Sequence, residues 1–129
     1  MNPIPIFHAY QYEADIGDHV MPIRKFRLVR EAIEALGLPC RIEEPAPVSD
    51  EDLLRVHTAE YLRAIETGEP RALAQSQKFP WSPELARAVR WTNGGCIAAL
   101  SAALDRGIAG NLALPAAVRG EAARSLRAL

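Results

Sequence analysis

The chain of 129 residues is 49% hydrophobic and 24% charged with a formal net charge of -1, the balance of one globular domain with a modest core. Near-neutrality excludes a broad basic footprint for nucleic acid or for an anionic membrane surface. No apolar run reaches the roughly 20 residues that a membrane span needs, and "MNPIPIFHAY" lacks the basic-then-apolar order of a secretory signal, so the chain is expected in the cytoplasm.

The opening "IPIFHAYQY" is rich in β-branched and aromatic residues and precedes the polar "EADIGDH"; it reads as a first strand feeding a long loop. After Pro22, the residues Ile23, Phe26, Val29, Ile33 and Leu36 recur at helical steps and lay an apolar stripe along one face, with Arg and Glu opposite. Gly37 ends this helix because glycine takes the left-handed conformation without penalty. "PCRIEEP" is a second short strand. Ser49, with Asp52 three residues on, caps one short helix, and Thr58 caps another that stops at Gly68. The polar, proline-punctuated "EPRALAQSQKFPW" reads as a surface loop. Ser82-Pro83-Glu84 then supplies a cap, a first-turn proline and an acid at the positive dipole end of a helix. That helix runs to Leu104, with Asn93-Gly94-Gly95 marking a break or a close backbone approach. "GIAGNLA" is a third strand. The alternating order predicts an α/β protein with a short parallel sheet and flanking helices.

His8, His19 and His57, with Asp15 and Asp18, are residue types that suit zinc, but their spacing matches no standard site. The plainer reading ends a strand at His8, leaves His19 in a loop and makes His57 a hydrogen-bonding residue between two short helices. Phe79 and Trp81 either wall a pocket or pack against the core. Arg24 either faces inward against an anionic partner or lies on the solvated helix face. Cys40 and Cys96 form neither a CxxC redox pair nor a zinc knuckle and read as buried free thiols.

The ordered series "DIGDHVMPIRKFRLVREAIEALGL", "EPAPVSDEDLLRVHTAEYLRAIETGE" and "FPWSPELARAVRWTNGGCIAALSAALDRGIAGNLA" resembles the N-terminal third of the histone deacetylase and acetoin-utilisation family, most of all its bacterial members. The resemblance covers Ile4 to Ala113 and implies part of an arginase/deacetylase-like fold. It also implies a parent chemistry, zinc-dependent hydrolysis of an acetyl amide on a lysine or polyamine. By the same resemblance, Arg24 matches the arginine of a Pro-x-Arg motif lining an internal cavity, Phe79 and Trp81 fall in the loop at the substrate-channel rim, and Gly94-Gly95 match a helix glycine pair. The family's third strand runs into a Gly-Gly turn with two adjacent histidines. Here Leu114-Pro115-Ala116-Ala117-Val118 stands instead. The family's zinc ligands and carbonyl-polarising tyrosine correspond to positions beyond Leu129. No catalytic residue, metal ligand or cofactor is therefore assigned within this chain, which is expected to be inactive alone.

The chain divides into a deacetylase-like part, 1–113, and a divergent tail, 114–129. The tail "LPAAVRGEAARSLRAL" is built from residue types with GC-rich codons, which is expected of a reading frame shifted, or a gene truncated, just after Ala113. Alternatively it is an amphipathic helix, with Leu114, Val118, Ala122 and Leu126 at four-residue steps. A non-catalytic interaction module is the alternative function. An unpaired "IAGNLA" edge and the few strands also predict self-association.

Overall fold

The computed structural model describes residues 2–18, 23–113 and 117–119, the last by backbone alone. β1 (Ile4–Phe7) lies between β2 (Cys40–Glu43) and β3 (Ile108–Asn111), parallel to both, and β4 (Ala117–Arg119) runs antiparallel on the far side of β3, in the order β2-β1-β3-β4. The fold class is therefore the expected α/β one with a parallel core. Parallel neighbours need long crossovers, supplied by α1 (Lys25–Ala35) between β1 and β2, and by α2 (Asp50–Leu54), α3 (Ala59–Thr67), α4 (Arg71–Ala74) and α5 (Pro83–Arg106) between β2 and β3.

The first strand is shorter than its sequence predicts: after Phe7 the chain enters a 3-10 turn, Tyr10–Tyr12. Pro5 is tolerated in this inner strand because of register. The β1–β3 ladder pairs Ile6 with Gly110 and Phe7 with Asn111, so the missing N–H of Pro5 falls just before it begins. The predicted β3 edge is also corrected, since β4 covers the side of β3 away from β1. Residues 117–119 run as a strand, which breaks the helical reading of the tail at Val118; the rest of that reading lies outside the described residues.

Of the apolar stripe on α1, only Phe26 is buried, while Val29 is 44% and Leu36 71% exposed. The helix meets the core at its first turn, where Phe26 packs beside Tyr12 and Ala113, and its later apolar positions face outward. Periodicity reports a face without saying what covers it. Gly37 has φ +59° and Gly68 φ +79°, the left-handed stops read from the sequence. The Ser49, Thr58 and Ser82 hydroxyls accept hydrogen bonds from the N–H groups of Asp52, Tyr61 and Leu85, as caps should. α4 is a correction to the expected surface loop: its four residues form one turn that buries Ala74.

The 24-residue α5, about 36 Å long, supports the sheet. Ala99, Ala102 and Ala103 meet Phe7 and Ala109, and their small side chains let helix and strands approach closely. There is no break at Asn93-Gly94-Gly95. A Cβ on Gly94 would lie 1.9 Å from the Ala46 carbonyl oxygen, and one on Gly95 would lie 1.8 Å from the Tyr12 hydroxyl. The close approach, rather than the break, explains the pair. Arg90 ties α5 to the chain before it through Asp50, Glu66 and the Val48 carbonyl.

Candidate functional site

The carboxyl ends of β1 and β3 lie side by side, and ligands of open parallel sheets bind beyond such ends. His8 follows β1 and Asn111 closes β3; both are wholly buried. Tyr12, brought back over the strand ends by the 3-10 turn, donates its hydroxyl hydrogen to Asn111 Oδ1 at 2.7 Å. Asn111 Nδ2 in turn donates to the Thr92 carbonyl at 3.4 Å. Gly95 forms the floor under this bond. Burial first, and the neighbouring Cys96 second, push the Tyr12 hydroxyl well above its ordinary pKa, which keeps it a donor. Burial likewise raises the Cys96 thiol. Cys40 and Cys96 are free but only half-buried.

His8 Nδ1 lies 3.2 Å from Arg30 Nη1. A guanidinium can only donate, so Nδ1 accepts and the proton resides on Nε2. That Nε2 is buried with no hydrogen-bond partner among the described residues. Burial, then the Arg30 charge, lower the imidazole to about 4 against a smaller opposing pull from Glu34. Tyr10 and Tyr12 stand edge-on to the ring, each with centroids 5.4 Å away, and Arg30 lies over the Tyr10 ring at 4.8 Å. His8 is thus a neutral, enclosed ring at neutral pH.

The three residues singled out by resemblance occupy different places. Arg24 is exposed just before α1 and lines an open depression with Glu13, Asp15, Ile23 and Glu84, where carboxylates outnumber it. Phe79 lines an apolar cavity of about 260 Å³ with Tyr12, Phe26, Leu85, Ala88 and Asn93. Trp81 lies at the head of α5, where Nε1 donates to the Ile65 carbonyl at 2.6 Å. Its ring covers Gly68, where an added Cβ would lie 2.6 Å away, and Arg71 lies 5.1 Å over it. Trp81 therefore joins α3, α4 and α5. Trp81→Phe is expected to lower stability by roughly 1–2 kcal/mol by leaving the Ile65 carbonyl without its indole donor, read as a lower urea midpoint at constant slope. An unchanged midpoint would remove Trp81 as a fastener.

Sequence reasoning passed over Tyr12 and Asn111. For Asn111 the signal was a polar residue inside the apolar "IAGNLA" with a glycine pair on the preceding helix; Tyr12 carried no such signal.

No group of three or more His, Cys, Asp or Glu gathers among the described residues, and the buried His8 presents its accepting nitrogen to a guanidinium, whose charge would repel a metal cation. His57 is exposed between α2 and α3, with its ring 5.3 Å from that of Tyr61. His19 lies outside the described residues. No helix among the described residues is long and apolar enough to cross a membrane.

No protein-family profile matches the sequence, and no curated protein matches it. A search of solved structures finds the crystal structure of the HDA15 HD domain, with a TM-score of 0.68 at 15% identity, over 98% of this chain and 43% of that one. The chain thus spans less than half of that domain's length. Identity this low speaks for the fold alone, which resembles part of that domain.

Proposed function

We propose that this chain is the N-terminal scaffold segment of a zinc-dependent deacetylase-like hydrolase acting on acetyl-lysine or acetylpolyamine, and that it lacks catalytic activity by itself. The observation that carries the reading is the match in fold over 98% of the chain, which agrees with the ordered sequence series from Ile4 to Ala113. In this reading Tyr12, Asn111 and Gly95 lock the carboxyl end of β3 against α5, the place from which the parent enzyme's catalytic turn would depart. Arg24, Phe79 and Trp81 are supporting residues around that end.

Hydrolysis of a neutral amide needs an activated water, a Lewis acid on the carbonyl and a proton for the leaving amine. His8 is unsuited to the base role, being enclosed and already engaged with Arg30. The isolated chain should therefore hold no stoichiometric zinc after dialysis and release no acetate from an acetyl-lysine peptide. Reading the gene past the Ala113 codon in all three frames tests the positive half. A coding Gly-Gly-x-His-His that gains zinc binding and deacetylation when joined in frame supports the proposal. One tightly bound zinc or turnover in the 129-residue chain alone, or an inert rejoined protein, overturns it.

A self-sufficient interaction module is the second reading. It is favoured by β4, which covers the far side of β3 and makes the sheet four-stranded.

A further inference from the structure

We propose that two copies of this chain associate through β2, pairing antiparallel about a two-fold axis at Ile42 so that their sheets become continuous. The inference does not rest on the proposed function. β2 is the edge of the sheet, and its inner side is fixed by hydrogen bonds from Ile4 N–H to the Pro39 carbonyl and from His8 N–H to the Glu43 carbonyl. In a strand the backbone groups of alternate residues face opposite edges. The odd-numbered residues therefore face β1, and Ile42, with its neighbours Cys40 and Glu44, faces away.

The charges select the register. Arg41 and Glu43 share one face of β2, 2.7 Å apart, and Glu43 also meets Arg106 at 3.3 Å. An isologous pair must be antiparallel, and only outward-facing residues can exchange its hydrogen bonds. A two-fold axis at Arg41 sets arginine against arginine, and one at Glu43 sets glutamate against glutamate; like charges directly opposite are destabilising. An axis at Ile42 instead sets each Arg41 against Glu43 of the second copy. This is a non-hydrogen-bonded pair, the kind whose side chains approach most closely. Ile42 exchanges two backbone bonds with its own copy, and each Glu44 N–H meets a Cys40 carbonyl. The Cys40 N–H, already bonded to the Leu38 carbonyl at 2.7 Å, is not needed.

A groove between α1 and β2 is lined by Ile33, Leu38, Cys40 and Ile42 together with the charged Arg30, Glu34 and Arg41, and Leu36 beside it and Leu38 within it are 71% and 46% exposed. Two-fold pairing brings the same groove of the second copy alongside, covering the part of α1 that the core leaves bare. Edge strands often avoid pairing by carrying charged side chains; the alternation here is self-complementary.

The experiment is sedimentation velocity on the whole chain and two charge reversals. Wild type should sediment as a dimer at micromolar concentration. Arg41→Glu or Glu43→Arg alone sets like charges opposite at both symmetric positions and should raise the dimer dissociation constant roughly tenfold or more. An equimolar mixture of the two variants should dimerise again, because the carboxylate introduced at position 41 of one then faces the guanidinium introduced at position 43 of the other; this also shows that both are folded. A monomeric wild type, single variants that dimerise like wild type, or a mixture that stays monomeric would each overturn the proposal.

Discussion

Gly95→Ala should unfold this protein more readily than any surface change, with a loss of roughly 3 kcal/mol or more and a fall of about 10 °C or more in Tm. The new Cβ would lie 1.8 Å from the Tyr12 hydroxyl and 2.7 Å from Asn111 Oδ1. Neither group can retreat: Tyr12 and Asn111 are wholly buried and bonded to one another. Relief requires α5 to lift from the strand ends, which opens the Phe7–Ala99–Ala103–Ala109 contact. Gly94→Ala should be similarly costly for a different reason, since its Cβ would meet the Ala46 carbonyl at 1.9 Å, in a segment pinned to α5 by the Val48 N–H bond to the Arg90 carbonyl.

The cause can be separated from general helix disruption by adding Tyr12→Phe. Alone, that change leaves buried Asn111 Oδ1 without its donor, at about 1–3 kcal/mol. Combined with Gly95→Ala it removes the atom in closest conflict, so the double variant should be less destabilised than the two losses together. Chemical denaturation of the four proteins measures the coupling. Simple additivity would show that the hydroxyl is not what Gly95 makes room for.

Local chemistry was legible in the sequence where it is decided within a few residues. The caps at Ser49, Thr58 and Ser82 and the left-handed stops at Gly37 and Gly68 depend on neighbours in the chain, and each is found where expected. What escaped was decided by partners distant in sequence. The stripe on α1 looked like a core face, but β1 and α5 bury each other and leave α1 only its first turn to dock. The Tyr12–Asn111 bond spans 99 residues, and neither partner carries a local motif. "EPRALAQSQKFPW" read as loop because its prolines and polar residues outweighed the one turn that Arg71–Ala74 forms once Trp81 covers it. The resemblance placed Arg24, Phe79 and Trp81 around one family site; here they line three adjoining hollows, those of Arg24 and Trp81 sharing Asp15, Ile16, Gly17 and Glu84, and those of Arg24 and Phe79 sharing Ile23.

Acid should destabilise the fold through His8. The ring is held neutral with a pKa lowered from 6.5 to about 4, so between those values the unfolded chain binds a proton that the folded chain refuses. Stability therefore rises with pH across that window. His8 contributes no penalty above about pH 7, and the loss grows as pH falls through 6.5 and is complete below about 4. The shift is worth roughly 3 kcal/mol in full, of which about 2 kcal/mol should be lost between pH 7 and pH 5. Urea midpoints at pH 7 and pH 5 read the loss directly. His8→Phe keeps an aromatic body against Tyr10 and Tyr12 while removing the titrating nitrogen and the acceptor for Arg30. It should be less stable at pH 7 and nearly indifferent to the step to pH 5. Equal pH slopes in the two proteins would mean that a different group titrates, and that the enclosed ring beside Arg30 is not the acid-sensitive point of the fold.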